Sequence, residues 1–185
     1  MRPTEPRLLP LEDSQWSAEQ RELLAPMQQR NGRVYNVFKT LARHPKLMKR
    51  WLPFANHLLF KSSLAARERE LLILRVAWLA RSEYEWGQHV EIAGREGLAP
   101  AEIARVAEGP DAAGWTAEDA ALLRAADELW EDACLGEASW AALRRRFGEA
   151  EIMDLVFTVG GYAMLAMALN SFGVRLDQGI KGFGR

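Results

Sequence analysis

Three residues in the first half of the chain have types and spacing suited to acid–base chemistry. Glu85 and His89 are four positions apart, so in a helix they lie on one face, where a carboxylate can orient an imidazole. Glu70 precedes them, at the start of the apolar run Leu71–Leu74. Because a carboxylate among such side chains is costly unless it is paired, we predict that Glu70 approaches the other two groups. Together they would supply a general acid and a general base.

Each of these residues also has a purely structural interpretation. Glu85 is the fourth residue of Ser82-Glu83-Tyr84-Glu85, and it can complete a capping box with Ser82. His89 can be a hydrogen-bonded, partly buried histidine, and Glu70 can lie on a solvated edge beside its charged neighbours. The spacing alone leaves both interpretations open.

Two consecutive helices are predicted to position these groups. The first covers Arg67–Ala80 and is apolar enough to be buried on most sides, and the second begins at Ser82 and stops at Gly97. Packing as a hairpin would bring Glu70 near the pair on the second helix.

Residues typical of helix starts and ends also occur through the rest of the chain, and no segment is a credible strand. Further helices are predicted after Ser17, at Val34–Ala42, from Pro45, from Pro100 to Gly109, from Thr116 to Ala133, at Ala138–Phe147 and at Glu149–Phe172. The sequence therefore predicts an all-α bundle of about eight or nine helices. We expect one domain, 1–185, with a core motif at 67–97 and a second helical half at 116–176.

Composition excludes several classes of function. The 185 residues include 24 basic and 25 acidic side chains, which gives a net charge of −1 and no sign of a nucleic-acid-binding face. Cys134 is the only cysteine, so neither an intrachain disulfide nor a cysteine metal cluster is possible. The segment Met1–Pro10 lacks the apolar core of a signal peptide. We expect a soluble protein of a reducing, cytoplasmic compartment.

The segment Leu155–Val174 has no charged residue and is long enough to span a bilayer. It contains Gly160, Gly161 and Asn170, and small residues allow close helix contact inside a core or at a subunit interface. We therefore predict a buried central helix rather than a membrane span.

The residues around the predicted centre suggest a small-molecule site without a metal. We expect Ser82, Tyr84, Trp86, Tyr162 and His57 to bind the substrate; alternatively, the aromatic rings are plain core and His57 faces solvent. Either Arg75 or Arg81 would receive a substrate carboxylate, unless both are surface charges. There is no HExxH and no second histidine spaced to complete a facial triad, so neither a metal nor another cofactor is predicted.

These motifs resemble those of a known family. The block from Glu70 through Glu-Tyr-Glu-Trp to His89, with Asn36–Pro45 and Trp51–Ala55 upstream and Tyr162 and Asn170 downstream, is similar to the carboxymuconolactone decarboxylase family, which includes AhpD-like alkylhydroperoxidases. The resemblance implies an all-helical fold that assembles as a homo-oligomer, a trimer or hexamer.

The resemblance also bears on the reaction. AhpD-like members have a Glu, a Cys-x-x-Cys and a His, and here Glu70 and His89 keep the outer positions while Ser82 and Glu85 stand where the cysteines would be. Without that dithiol a peroxidase cycle is disfavoured, because a thiolate is the peroxidatic nucleophile. Decarboxylating members resemble this chain at Glu85 and His89.

The leading hypothesis is a cofactor-independent lyase or isomerase acting on a small cyclic or unsaturated carboxylic acid or lactone. In it, His89 is the acid–base, Glu85 its orienter and Glu70 a second carboxylate for proton relay. The alternatives are an AhpD-like, peroxiredoxin-type hydroperoxidase and a non-catalytic oligomeric protein that binds an apolar ligand.

Overall fold

The structure is a computed structural model that describes residues 3–29 and 31–183. Among these residues every element of regular secondary structure is a helix and none is a strand, which confirms the predicted all-α fold class. The α-helices in chain order are α1 (Ala18–Leu24), α2 (Asn36–Leu41), α3 (Pro45–Asn56), α4 (Ala66–Leu79), α5 (Glu83–Arg95), α6 (Pro100–Val106), α7 (Ala117–Glu131), α8 (Glu137–Arg144) and α9 (Glu149–Phe172). Short 3-10 turns cover Asp13–Gln15 and Ala25–Met27, and a π turn, His57–Lys61, follows α3.

Side-chain caps begin two of the helices where the sequence predicts them. The Ser17 hydroxyl accepts from the Gln20 backbone N–H, and the Gln20 side chain accepts from the Ser17 N–H, so α1 begins with a complete capping box. The Thr116 hydroxyl accepts from the Asp119 N–H at the start of α7.

Helix α4 is the central helix of the core. Its residues from Leu71 to Leu74, together with Val76 and Ala77, are fully buried, and the helix packs against α5, α7 and α9. A helix that is apolar on most sides is stable in water only when neighbours cover all of those sides. The prediction of a buried first hairpin helix is therefore confirmed, and Glu70 is carried into the interior with it.

The predicted capping box is not formed at the turn between α4 and α5. The Ser82 N–H already donates to the Ala77 carbonyl oxygen, and the buried Ser82 hydroxyl makes no hydrogen bond to a described residue. The capping interpretation of Glu85 is therefore wrong, because this tight turn leaves no donor at Ser82 for the Glu85 carboxyl group.

Helix α9 is buried on one side only. Leu155, Val159 and Ala166 are in the core, whereas Phe157 and Met164 on the other side are about half exposed. The prediction of a helix buried all round is wrong for this outer side. Of the described helices, α9 alone is long and apolar enough to cross a membrane, and 39% of its apolar window is buried inside the protein.

The segment after α9 folds back over α5. Asp177 accepts hydrogen bonds from the Tyr84 hydroxyl, at 2.5 Å, and from the Asn36 backbone N–H, at 2.9 Å. Further along, a Cβ at Gly87 would lie 2.6 Å from the Lys181 carbonyl oxygen and 2.8 Å from Ile180 Cγ2. This close approach requires glycine on α5 and holds Ile180 against the cavity described next.

Candidate functional site

A cavity of about 790 Å³ lies between α3 with its π turn, α5 and α9. Much of its wall is apolar, with Leu52, Phe54, Leu58, Ile92 and Leu165 among the lining residues. Its polar lining includes Arg69, Tyr84, Glu85, Gln88, His89 and Tyr162. A largely apolar cavity with a few convergent polar groups is typical of a small-molecule site.

His89 is held at the cavity wall by Glu70. The His89 Nδ1 atom lies 2.7 Å from Glu70 Oε2, and Glu70 is fully buried. The other carboxylate oxygen of Glu70 accepts from Arg69 Nε at 3.1 Å. A carboxylate that also accepts from a guanidinium acts as an acceptor toward the imidazole, so Nδ1 of His89 donates. The other ring nitrogen, Nε2, makes no hydrogen bond to a described residue.

Glu85 has a different environment. Its side chain is 2% exposed, and neither carboxyl oxygen has a hydrogen-bond partner among the described residues. Burial raises the pKa of Glu85 well above its usual value of 4.5, because a desolvated carboxylate without a donor is strongly disfavoured. Glu85, which belongs to the cavity lining, is therefore held as a neutral carboxylic acid.

Tyr162 forms the wall opposite α5. Its ring packs edge-on against the His89 ring, with the centroids 5.0 Å apart and an interplanar angle of 90°. Burial, followed by the negative charge of Glu70, raises the pKa of Tyr162 well above its usual value. The phenol therefore keeps its proton and offers a hydrogen-bond donor next to the imidazole.

The structure exchanges the roles predicted for the two glutamates. Glu70, on the neighbouring helix, orients His89, whereas Glu85, four residues away on the same helix, makes no hydrogen bond to it. The prediction that Glu85 orients the imidazole is wrong. Helical spacing places two residues on one face, but it does not fix where their side chains meet.

Arg69 is the cationic residue that sequence reasoning missed. It lines the cavity, its side chain is 9% exposed, and it pairs with Glu70 through Nε and Nη2. Arg75, by contrast, is bound to Asp127 and to the carbonyl oxygens of Val106 and Ala107. The one available signal was the position of Arg69 directly before Glu70.

Arg81 and three of the five predicted substrate-binding residues lie outside the cavity lining. Ser82 is buried in the helical turn. Trp86 packs against Trp78 and Phe183, with ring centroids 5.4 and 5.6 Å away. His57, whose side chain is half exposed, pairs through Nε2 with Asp154 at 2.8 Å. For Trp86 and His57 the structural alternative describes the observed contacts.

Tyr84 and Tyr162 do line the cavity. The Tyr84 hydroxyl, however, accepts from the Val37 N–H at 3.1 Å and donates to Asp177 at 2.5 Å. Burial and the charge of Asp177 raise the Tyr84 pKa well above its usual value. The Tyr84 hydroxyl therefore holds the segment after α9 in place, while the Tyr84 ring remains part of the cavity wall.

Neither a metal centre nor a thiol centre is visible among residues 3–29 and 31–183. No group of three or more His, Cys, Asp or Glu side chains in this range is arranged to hold a metal ion. Cys134 is exposed in the connection between α7 and α8, away from the cavity. The cavity therefore offers carboxyl, imidazole, guanidinium and phenol groups as its reactive chemistry.

Comparison with known proteins finds one matching family and several solved structures with a similar fold. Residues 45–128 match the carboxymuconolactone decarboxylase family, and a search of curated proteins finds no match. A peroxidase-related protein of the alkylhydroperoxidase AhpD core type from Ralstonia eutropha JMP134 is 22% identical, with a TM-score of 0.82 over 94% of this chain and 93% of that one.

Two further solved structures have a similar fold. A peroxidase-related protein from Silicibacter sp. TM1040 is 21% identical, with a TM-score of 0.81 over 96% of this chain and 95% of that one. The debrominase Bmp8, solved in complex with 2,3,4-tribromopyrrole, is 14% identical, with a TM-score of 0.78 over 95% and 94% of the two chains. Segment 45–128 of the chain is thus similar to the carboxymuconolactone decarboxylase family, and the chain as a whole shares the helical fold of these structures.

Proposed function

We propose that the protein is a cofactor-independent lyase or isomerase that acts on a small cyclic or unsaturated carboxylic acid or lactone. The observation that carries this proposal is the contrast between two neighbouring groups in one cavity. His89 has its Nδ1 occupied by Glu70 and its Nε2 without a protein partner, and Glu85 has no partner at all. Two titratable groups with such different environments can act as base and acid at the same pH.

Proton transfer between these groups accounts for an isomerisation without another reagent. His89 Nε2 accepts a proton from the substrate carbon next to a carbonyl group, and the electron pair of that C–H bond moves into the adjacent π system. Glu85 delivers its proton to the far end of that system, and the imidazolium then returns a proton to the Glu85 carboxylate. In a decarboxylation, CO₂ departs instead, its bonding electrons enter the same π system, and Glu85 protonates the resulting carbanion.

Glu70 acts as the positioning residue of this centre. Its carboxylate holds the imidazole with the base nitrogen free, and it stabilises the imidazolium that forms when His89 takes up a proton. Arg69 balances the charge of Glu70, so the centre is close to neutral before the substrate enters. The phenol of Tyr162 lies beside the imidazole and donates to negative charge that develops on the substrate.

Arg69 is the residue assigned to the substrate carboxylate. Its Nη1 makes no hydrogen bond to a described residue, while Nε and Nη2 stay with Glu70. Because Glu85 is neutral, an anionic substrate meets no repulsion from it. Arg69→Lys removes the planar fork and should raise KM about tenfold or more, since a hydrogen bond to a charged group contributes about 1.5–3 kcal/mol.

The test is turnover of a panel of lactone acids and unsaturated acids by the purified protein, without added metal or thiol. His89→Ala should lower kcat about 10²- to 10⁴-fold, the range of positioned acid–base catalysis. His57→Ala, at the half-exposed pair with Asp154, is the matched control and should retain wild-type activity. A loss of less than about tenfold for His89→Ala would contradict the proposal.

The two alternative functions have less support. A dithiol peroxidase needs a thiol at the reacting centre, and Cys134 lies away from the cavity, with Ser82 and Glu85 in the cysteine positions of the family pattern. A purely ligand-binding role would be favoured by a capping Glu85 and a His89 enclosed in packed core, whereas both residues line the cavity. Peroxide consumption that survives Cys134→Ser would have to arise from other chemistry.

A further inference from the structure

The outer side of α9 carries an apolar stripe that no described residue covers. Met153, Phe157, Met164 and Met167 are 60%, 53%, 49% and 60% exposed, and Gly160 between them is exposed as well. These positions follow one another at steps of four, three, four and three residues. This is the spacing of a helical seam that packs against another helix.

The stripe is symmetric about Gly160. Met153 and Met167 are each seven residues from this glycine, and Phe157 and Met164 are three and four residues from it. If two such helices cross antiparallel about a two-fold axis at Gly160, Met153 faces the partner's Met167 and Phe157 faces the partner's Met164. A surface that matches its own copy in this way is the requirement of an isologous interface.

We propose that α9 is the interface through which two copies of this chain pair about a two-fold axis near Gly160. A Cβ placed on Gly160 would have no heavy atom within 4 Å, so the backbone is open to close approach at the centre of the stripe. The segment from Leu155 to Val174 contains no charge, so like charges do not oppose the contact. The proposal does not depend on the proposed function.

A lipid bilayer fits the same surface less well. A spanning helix would meet lipid or protein all round, whereas the opposite side of α9 is packed against the core of its own chain. A helix lying on a membrane surface typically carries Lys and Arg residues on its polar face, and α9 contains neither. A second copy also accounts for the symmetry of the stripe, which an unrelated occupant does not require.

The interface would adjoin the cavity. The Phe157 ring packs edge-on against Phe54, with the centroids 6.2 Å apart, and Phe54 lines the cavity. Gly161, on the inner side of the next turn, packs so tightly that a Cβ there would lie 2.6 Å from Leu58 Cδ1. The partner's Met164, seated on Phe157, would therefore support this wall of the cavity from outside.

Light scattering coupled to size-exclusion chromatography tests the interface on the full chain. The wild type should have the mass of a dimer or of an even multiple of the chain. Met164→Glu places a charge in the stripe and should halve that mass or reduce it to the monomer. Leu47→Glu, at an apolar residue of α3 that is 54% exposed, is the control and should leave the mass unchanged. A monomeric wild type, or an unchanged mass for Met164→Glu, would overturn the proposal.

Cross-linking tests the orientation. In a Cys134→Ser background, the double variant Met153→Cys with Met167→Cys should be joined into covalent dimers by a short bismaleimide, whereas each single variant should not. Efficient cross-linking of the Met153→Cys single variant to its own copy would show parallel helices, as in a three-fold assembly about α9, and would refute the two-fold arrangement. Flotation of monomers with anionic vesicles would assign the stripe to a membrane instead.

Discussion

The buried carboxyl group of Glu85 makes the stability of the protein depend on pH in a specific way. Its folded-state pKa lies well above the usual 4.5, so between these two values the folded state binds more protons than the unfolded state. The free energy of unfolding therefore falls as the pH rises through this window. Glu85→Gln has the same shape and does not titrate, so it should lose this part of the pH dependence.

The magnitude follows from the linkage relation. As the pH rises, the free energy of unfolding of Glu85→Gln minus that of the wild type should increase by up to about 1.4 kcal/mol for each pH unit. From pH 5 to pH 7 the increase should be at most about 2.7 kcal/mol. Urea unfolding followed by tryptophan fluorescence at pH 5, 6 and 7, at one protein concentration, measures the gap. Glu131→Gln, at the exposed end of α7, is the control and should run parallel to the wild type. If Glu85→Gln also runs parallel to the wild type, Glu85 is not a neutral buried acid.

Two further variants test the packing around the centre. Glu70→Gln removes the charge that pairs with Arg69, so it should lower the free energy of unfolding at pH 7 by about 3–5 kcal/mol in a urea titration; a loss below about 1 kcal/mol would show that this charge is dispensable. Gly161→Ala should cost about 1–3 kcal/mol, because its methyl group would overlap Leu58. Gly94→Ala, where a Cβ meets nothing within 4 Å, should add up to about 1 kcal/mol. Thermal or urea unfolding that gives both glycine variants the same sign would contradict the packing described here.

Residues that start and end helices, together with the apolar periodicity, were sufficient to predict the all-α fold class. Pro45 at the first position of α3, Thr116 before α7 and the αL glycine Gly173 after α9 each mark a helix end through local backbone chemistry, which a single sequence contains. The outer side of α9 was not predictable in the same way. Hydropathy along α9 is nearly uniform, so the sequence does not show which side of the helix lacks a neighbour.

The sequence singled out the three residues at the centre of the candidate site, but it did not show how their side chains pair. Family-like spacing indicated Glu70, Glu85 and His89, and all three are buried on the hairpin formed by α4 and α5. The hydrogen bond between Glu70 and His89 depends on the relative rotation of two packed helices, which is set by their contacts across the core. For the same reason, the position of Arg69 directly before Glu70 was the only signal for this residue, and the sequence did not fix the direction of its side chain.

The distribution of charge connects the fold to the proposed chemistry. The arrangement Arg69–Glu70–His89 places one positive and one negative charge side by side and fixes the imidazole at the cavity wall. Glu85 is placed where no donor stabilises its anion. The proposed proton transfer rests on this difference in environment between His89 and Glu85.

The most direct test of this account is the exchange of a substrate's carbon-bound proton with D₂O, followed by ¹H NMR on an acid that the wild type turns over. Exchange reports the proton transfer itself, even where product release limits turnover. The account predicts exchange by the wild type and by His57→Gln, and a loss of about 10²-fold or more in His89→Gln. Exchange at the wild-type rate in a folded His89→Gln variant would contradict it.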